Sequence, residues 1–301
     1  MSAELQQYVT IGCVNYQSVW GEVAGNLEKM KRIAAQAGEQ KVGLLVFPEL
    51  ALSGYECDER CMHATAAQVI PGPATEEMAA TAAKHGLYIV FGMPERDSRD
   101  PDKRYISSVI VGPEGFVGRY RKIHLARPPE FTESLCFTAG SDLPVFNTSY
   151  GLVGLQICFD FWVFPELTRI LVLKGAEIVI NTTASPSGPG KPFFLTATTA
   201  ARAAENRILT ASANLVGKER KRSFYGQSCV AASSPPTWLR VYAQGGSEEE
   251  IVTATVNLAA LRSWRARSSW QHARRDEIIL NELSRLAEER IQRSPDRNIR
   301  G

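Results

Sequence analysis

Residues 152–160 read LVGLQICFD, an apolar run that ends at a cysteine and is followed by an aspartate. A short, continuous apolar segment of this kind predicts a strand buried on both faces, as in sheets that helices cover. Pro165 and the apolar residues after it predict a helix over residues 165–174, and Gly175 stands where a helix commonly ends. The stretch therefore predicts a buried strand with Cys158 at its end, followed by a helix.

The same alternation of strand and helix patterns continues through the chain of 301 residues. Predicted strands cover residues 9–16, 43–47, 87–93, 106–111, 116–121, 152–158, 177–181, 208–213, 227–233, 238–243 and 250–257. Predicted helices cover residues 21–40, 75–85, 165–174, 193–206 and 273–293. Helices that stand between strands indicate an α/β domain. The pattern alone does not separate a doubly wound single sheet from other α/β arrangements.

Composition and net charge indicate which kinds of partner the chain is expected to bind. The net charge is +2 and hydrophobic residues make up 44% of the chain, so there is no basic excess that would favour a nucleic acid. Basic residues do cluster at 218–222 and 262–275, and we interpret both clusters as solvated or salt-bridged surface. No signal-peptide pattern and no apolar run of about 18 residues occur, so we expect no membrane partner and a cytoplasmic location. The six cysteines are scattered, which is not a disulfide framework.

Two further apolar segments end in chemically useful side chains. Residues 47–49 read FPE, and the strand stops before Glu49 because the proline has no N–H to donate. Residues 120–124 read YRKIH, and they carry the second arm of a predicted hairpin into Lys122. A carboxylate can take a thiol proton, an ammonium can neutralise a developing oxyanion, and a thiol can attack a carbonyl carbon. These three groups suffice to hydrolyse an amide through a thioester.

The sequence lacks the usual motifs of zinc-dependent hydrolases and of serine hydrolases. The four histidines, His63, His85, His124 and His272, include no i, i+4 pair of the kind that binds zinc on a helix. Residues 226–230 read GQSCV, which lacks the final glycine of a Gly-x-Ser-x-Gly nucleophile turn. We therefore expect neither a metal nor a cofactor.

The three segments at residues 47–49, 120–124 and 152–160 follow one another in the order acid, amine and thiol. Together they resemble the nitrilase superfamily of carbon–nitrogen hydrolases, and in particular its amidase- and carbamoylase-like members. The resemblance runs from about residue 9 to residue 276, and it includes a second FPE at residues 164–166, one residue further from the cysteine than in the family pattern. It implies an α/β fold, a four-layer αββα sandwich of two central β-sheets flanked by helices. It also implies one carbon–nitrogen hydrolase domain over residues 1–301, in which residues 273–301 form a C-terminal helical extension.

The resemblance also implies a catalytic set, which consists of Glu49, Lys122, Cys158 and Glu133. Glu49 would be the general base and later the general acid, while Glu133, within the loop-like stretch 126–144, would orient the lysine or the substrate amide. Lys122 is expected to lower the pKa of the thiol and, with the backbone N–H of Phe159, to stabilise the oxyanion. Burial would raise the pKa of Glu49 and Lys122 would lower it, and the sequence does not decide which effect is larger.

Four residues are predicted to contact the substrate, and these are Phe159, Phe161, Trp162 and His124. Phe161 and Trp162 stand where relatives that hydrolyse N-carbamoyl-D-amino acids place arginines. An aromatic pocket wall favours neutral or amine-bearing amides over carboxylates, although both rings could equally belong to the core. His124 is expected to support the site through a hydrogen bond rather than to transfer protons.

We therefore expect an amidohydrolase that cleaves a non-peptide C–N bond of a small amide or carbamoyl substrate and releases ammonia or an amine. Three alternatives stay open: a nitrilase that converts nitriles to acids, an acyl-transferring relative, and a catalytically silent nitrilase-like module for assembly or binding. The resemblance further implies self-association, as a homodimer or a higher homo-oligomer.

Overall fold

The computed structural model describes residues 5–57, 60–127, 129–233, 237–268 and 270–293. The chain divides into two compact units, residues 1–262 and residues 263–301. The predicted C-terminal extension falls in the second unit, although its residues 294–301 lie outside the described ranges. Within those ranges, no helix is long and apolar enough to cross a membrane.

The strands and helices follow one another in the alternation that the sequence predicts. The strands are β1 Tyr8–Asn15, β2 Leu44–Val46, β3 Tyr88–Arg96, β4 Arg104–Gly112, β5 Gly115–Arg121, β6 Val145–Thr148, β7 Gly151–Ile157, β8 Ile178–Thr183, β9 Leu209–Asn214, β10 Val216–Glu219, β11 Arg222–Tyr225, β12 Cys229–Ala232, β13 Arg240–Gln244 and β14 Glu250–Asn257. The helices are α1 Val23–Glu39, α2 Arg60–Ala66, α3 Pro73–His85, α4 Glu133–Cys136, α5 Phe159–Val163, α6 Pro165–Leu173, α7 Lys191–Asn206, α8 Leu258–Ala266 and α9 Asp276–Arg293.

The described strands of the first unit form two six-stranded sheets and a separate two-stranded hairpin, β10–β11. The first sheet has the order β14-β1-β2-β3-β4-β5, and the second has the order β13-β12-β9-β8-β7-β6. Each sheet has three parallel strands at its centre, β1-β2-β3 in the first and β7-β8-β9 in the second, with antiparallel strands outside them. The carboxyl ends of parallel strands are where α/β proteins commonly place their sites.

The two sheets face each other across a shared core. Ile11 and Leu44 of the first sheet belong to the same buried cluster as Leu155 and Ile180 of the second. Outside the first sheet, α3 packs on β4 and β5 and against α1; outside the second, α6 packs on β7 and α7 packs on β9 and β12. The predicted four-layer αββα sandwich is therefore confirmed.

Some elements lie where the sequence predicts none. Helix α4 is a single turn, and one turn is too short to show an apolar periodicity. The hairpin β10–β11 contains the charged run 218–222, which reads as surface loop because its residues do not alternate between polar and apolar. Both elements contribute to the site described below.

Gly92 in β3 lies against the backbone that carries Glu49. A Cβ atom at Gly92 would lie 2.4 Å from the Leu50 nitrogen, 2.6 Å from the Pro48 oxygen and 2.7 Å from the Glu49 Cα. All three are backbone atoms, which cannot swing aside as the end of a flexible side chain can. Glycine at this position therefore lets the segment after β2 pack closely on β3.

Gly92→Ala is expected to destabilise the fold by about 1–3 kcal/mol, because overpacking forces the backbone to shift. The matched control is Gly25→Ala in α1, where an added Cβ meets only the Glu22 Cβ at 4.0 Å. The control is expected to keep or slightly raise stability, since alanine favours a helix more than glycine does. Urea unfolding of both variants measures the difference, and a Gly92→Ala variant as stable as the control would contradict the close approach.

Candidate active site

The ends of three strands bring together the acid, the amine and the thiol that the sequence singles out. Glu49 follows β2, Lys122 follows β5 and Cys158 follows β7. The Lys122 Nζ lies 2.7 Å from the Glu49 Oε1. The charges of Glu49 and Lys122 are also close enough to Cys158 to shift the pKa of its thiol. The fourth predicted residue, Glu133, begins α4 and joins the same cluster.

Lys122 is a buried ammonium between two carboxylates. Its side chain has no exposed surface, and its Nζ lies 2.8 Å from Glu133 as well as 2.7 Å from Glu49. Burial lowers the pKa of Lys122, but the carboxylates of Glu133 and Glu49 outweigh that effect and hold the pKa well above its ordinary value. Lys122 is therefore a permanent cation at neutral pH.

Two neutral donors hold the Glu133 carboxylate in place. The Tyr55 hydroxyl donates to the Glu133 Oε1 at 2.6 Å, and the Ala126 N–H donates to the Oε2 at 3.0 Å. Burial raises the pKa of Tyr55 well above its ordinary value, and Glu133 raises it further, so the hydroxyl keeps its proton. Tyr55 was not among the residues predicted from sequence. The two donors leave Glu133 oriented towards Lys122.

Glu49 accepts hydrogen bonds from the Lys122 ammonium, from one backbone N–H and from the Cys158 thiol. Its Oε1 accepts from Lys122, and its Oε2 accepts from the Ala184 N–H at 3.0 Å. Burial raises the pKa of Glu49 to about 7, against the lowering effect of Lys122, and Glu133 raises it again. Burial therefore outweighs the lysine, which answers the question that the sequence left open. A carboxyl with this pKa can both accept and release a proton near neutral pH.

Cys158 occupies a sharp turn between β7 and α5. Its backbone has φ +46° and ψ −103°, a conformation that a residue with a side chain rarely adopts and that is found mainly at functional sites. The turn is held because the Cys158 N–H donates to the Thr182 carbonyl at 3.0 Å and to the Asn181 Oδ1 at 2.9 Å. A strained strand-to-helix turn is also how some hydrolases present a serine nucleophile.

The thiol of Cys158 is not ionised in advance. Burial raises the pKa of Cys158 to about 12, and Glu49 also raises it, while Lys122 and a hydrogen bond with Thr183 lower it. The predicted effect of the lysine has the right sign but is smaller than the effect of burial. The sulfur must therefore lose its proton to a base during any attack.

Asp160 ties the cysteine turn to the lysine segment. Its buried carboxylate accepts from the Tyr120 hydroxyl at 2.6 Å, from the Ile123 N–H at 3.1 Å, and from both the N–H and the Nδ1 of His124 at 2.8 Å. These contacts clamp the residues on both sides of Lys122. The sequence motif contains Asp160, but the sequence does not show which groups donate hydrogen bonds to its carboxylate.

The predicted substrate-contact residues have different environments. His124 is 34% exposed and its ring stacks on Phe164, with 3.6 Å between the centroids. Phe159 is half-buried, with its ring edge against Phe164. Phe161, by contrast, has no exposed surface. Contact of these residues with a substrate stays a prediction.

Trp162 is linked to Cys158 through Thr183. Its side chain is almost fully buried, and its Nε1–H donates to the Thr183 Oγ1 at 3.2 Å. Thr183 in turn interacts with the Cys158 thiol. Arg202 donates to the backbone carbonyls of Phe161 at 3.2 Å and Trp162 at 3.3 Å. These contacts anchor α5 at Phe161 and Trp162.

Histidine, cysteine and carboxylate side chains are the groups that commonly bind metal ions in proteins. Among the described residues, no group of three or more of them is arranged to hold a metal ion. The acid, the amine and the thiol can perform proton transfer, nucleophilic attack and stabilisation of an oxyanion.

Asp160→Asn is expected to destabilise the first unit by about 1–3 kcal/mol, because an amide cannot accept all the hydrogen bonds that converge on this buried carboxylate. Asp142→Asn, at an exposed position of the loop before β6, is the control and should change stability by less than about 0.5 kcal/mol. Urea unfolding measures both. Equal stability of the two variants would contradict the clamp.

Comparison with known proteins shows the family to which the chain belongs. The model of the family described as carbon–nitrogen hydrolase matches residues 10–266. A nitrilase of Pyrococcus abyssi is 38% identical over 242 residues, which cover 80% of this chain and 86% of that protein. Omega-amidase NIT2-B of Xenopus laevis is 30% identical over 260 residues, which cover 84% of this chain and 90% of that protein.

A solved structure shows the same fold. The crystal structure of Nit3 from Saccharomyces cerevisiae, a member of branch 10 of the nitrilase superfamily, superposes with a TM-score of 0.76 at 24% identity and covers 88% of this chain and 96% of that one. Because the family match spans most of the sequence, the chain belongs to the carbon–nitrogen hydrolase family of the nitrilase superfamily and is a hydrolase that acts on carbon–nitrogen bonds.

Proposed function

We propose that the chain is an amidase that cleaves a small amide or carbamoyl compound through a thioester on Cys158. The observation that carries the proposal is the buried Lys122 ammonium, 2.7 Å from Glu49 and 2.8 Å from Glu133, next to the strained turn of Cys158. The omega-amidase name of the Xenopus relative supports an amide substrate.

The first half of the reaction forms the thioester. Glu49 takes the proton from Cys158 while the sulfur forms a bond to the carbonyl carbon. Because burial raises the pKa of Cys158 to about 12 and that of Glu49 to about 7, proton loss must accompany the attack rather than precede it. The C–N bond then breaks, and Glu49 gives the proton to the departing amine or ammonia.

The carbonyl oxygen becomes an oxyanion during the attack. Lys122 is the first group that stabilises this charge, and its position is fixed because Glu133 binds it from the other side. The backbone N–H of Phe159 follows the nucleophile directly and is the second donor. Loss of one such donor typically raises a barrier by about 2.7–4 kcal/mol.

The second half of the reaction releases the acid. Glu49, again a carboxylate, takes a proton from water, and the water oxygen bonds to the thioester carbon. The C–S bond breaks, the acid leaves, and the proton held by Glu49 returns to the sulfur of Cys158. The two halves require one group that both accepts and donates a proton, and a pKa of about 7 suits Glu49 to that role.

A nitrile is the second candidate substrate. The Pyrococcus relative at 38% identity carries the name nitrilase, and a nitrile carbon can be attacked by the same thiol with the same base. Acid formed from butyronitrile would identify this activity. A catalytically silent module is less well supported, since the acid, the amine and the thiol are all present and adjacent.

Self-association and a cytoplasmic location stay predictions. Exposed apolar side chains on α5, α6 and α7 support a partner surface, and these are Val163, Ile170, Leu173 and Phe193. The molar mass of the purified chain in light scattering measures whether a homo-oligomer forms.

Cys158→Ala is expected to abolish ammonia release from acetamide, butyramide and succinamic acid, with a loss on the order of 10⁶-fold in kcat where a rate is measurable. The physical reason is that no other atom then forms the acyl intermediate. Cys229→Ala removes a buried thiol that belongs to β12 and is the matched control. Turnover by Cys158→Ala at the rate of this control would refute the proposal. In the unaltered protein, intact-mass measurement after rapid acid quenching should detect the acyl group on Cys158.

The rate is expected to rise with pH through about 7. Glu49 is a base only when it is deprotonated, and the pKa of about 7 means that this form is scarce below pH 6 and dominant above pH 8. The acidic limb in a plot of kcat/KM against pH belongs to the coupled group of Glu49, Lys122 and Cys158. Glu49→Gln should remove the limb and lower kcat by about 10²–10⁴-fold, whereas Glu248→Gln, at an exposed position, should keep it. An unchanged limb in Glu49→Gln would assign the titration to another group.

A further inference from the structure

Glu219 is a buried carboxylate within a run of residues that reads as charged surface. It ends β10, and only 5% of its surface is exposed, whereas its neighbours Lys218 and Arg220 are exposed. A carboxylate is rarely buried unless several donors compensate for the loss of water. Its contacts therefore indicate what the hairpin β10–β11 is built to hold.

The Glu219 carboxylate binds the backbone of the segment that follows β2. Its Oε1 accepts from the N–H of Tyr55 at 2.8 Å and from the N–H of Glu56 at 2.8 Å. Its Oε2 accepts from the Ser18 hydroxyl at 3.0 Å and from the Tyr55 N–H at 3.1 Å. Two successive backbone N–H groups are thus fixed by one side chain.

Gly54 lies close to this carboxylate. A Cβ atom at Gly54, whose φ is +86°, would lie 2.7 Å from the Glu219 Oε2 and 2.9 Å from the Trp20 Cα. The turn at Gly54 therefore lets the backbone approach the carboxylate closely. The segment therefore lies close to Glu219, and the hydrogen bonds hold it there.

The bound segment carries Tyr55, whose ring reaches the active site. The Tyr55 hydroxyl donates to Glu133 at 2.6 Å, and Glu133 lies 2.8 Å from the Lys122 Nζ. The second strand of the hairpin also contacts this tyrosine, because the ring of Phe224 packs edge-on at 6.1 Å from the Tyr55 ring. The hairpin thus fixes both the backbone and the ring of the residue that orients Glu133.

We propose that Glu219 is a positioning residue for the hydrolytic reaction, which acts through Tyr55 and Glu133 to place the Lys122 ammonium. This inference rests on the proposed amidase function. Glu219 itself touches neither Lys122 nor the nucleophile in the described contacts, so its effect must pass through the tyrosine. A displacement of about 1 Å at a catalytic group can lower a rate by about 100-fold.

The test is a double-mutant cycle with Glu219→Gln, Tyr55→Phe and the double variant. Glu219→Gln keeps the shape of the side chain but leaves one acceptor oxygen in place of two, so the contacts that Oε2 accepts from the Tyr55 N–H and the Ser18 hydroxyl are lost or reversed. We expect kcat for ammonia release, from whichever of acetamide, butyramide and succinamic acid turns over fastest, to fall roughly 10- to 100-fold. When Tyr55 is already replaced by phenylalanine, Glu219→Gln should lower kcat by less than about threefold, because the hydrogen bond from Tyr55 to Glu133 is already lost. Lys218→Gln, at the exposed neighbour, is the control and should keep the full rate.

Each outcome separates a positioning role from a structural one. Equal effects of Glu219→Gln with and without the Tyr55 hydroxyl would overturn the inference, as would an unchanged kcat in Glu219→Gln. If Glu219→Gln does not fold, Ser18→Ala takes its place in the cycle, because it removes one hydrogen-bond donor to the same carboxylate. The same two results for kcat would then overturn the inference. The proposed amidase function fails separately, through an active Cys158→Ala variant, so the two failures are distinguishable.

Discussion

A lysine ammonium held between two carboxylates governs this site. Lys122 and Glu49 have no exposed surface, and an unpaired buried charge would cost several kcal/mol. Contacts of 2.7 and 2.8 Å compensate for the lost hydration. Because two carboxylates share one cation, a negative charge remains in excess, and Glu133 adds to burial in raising the pKa of Glu49 to about 7. The paired charges therefore make burial of the cluster tolerable, and Glu49 can still gain and lose a proton near neutral pH.

The same balance determines how the thiol can react. A thiolate beside Glu49 and Glu133 would add to the negative charge, so burial and both carboxylates raise the pKa of Cys158, against the effect of Lys122. In the proposed attack the thiol proton neutralises Glu49 while the sulfur bonds to the carbonyl carbon, so the cluster loses one negative charge and the total charge of cluster and substrate does not change. The new negative charge appears on the substrate oxygen instead, where Lys122 can bind it. The site thus favours charge on the oxyanion over charge on the free sulfur.

The sequence reveals the charged groups more clearly than the groups that orient them. Glu49, Lys122 and Cys158 each follow an apolar strand, and such strands have a readable pattern. Tyr55 and Glu133 are 78 positions apart, and Glu219 and Tyr55 are 164 positions apart, so their hydrogen bonds leave no local pattern. The sequence also could not show that burial outweighs Lys122 in setting the pKa of Glu49, because that result depends on the packing of both sheets.

The orienting groups make the reactive groups interdependent. Asp160, two residues after Cys158, binds the segment that carries Lys122, so the distance between sulfur and ammonium does not depend on the strands alone. Tyr55 fixes Glu133, which fixes the other side of the same ammonium. Strand ends give each side chain an approximate place, and hydrogen bonds from neighbouring segments give it an orientation. Lys122 is therefore fixed from two directions, by Asp160 through the backbone that follows it and by Glu133 through its ammonium, and the proposed reaction depends on both.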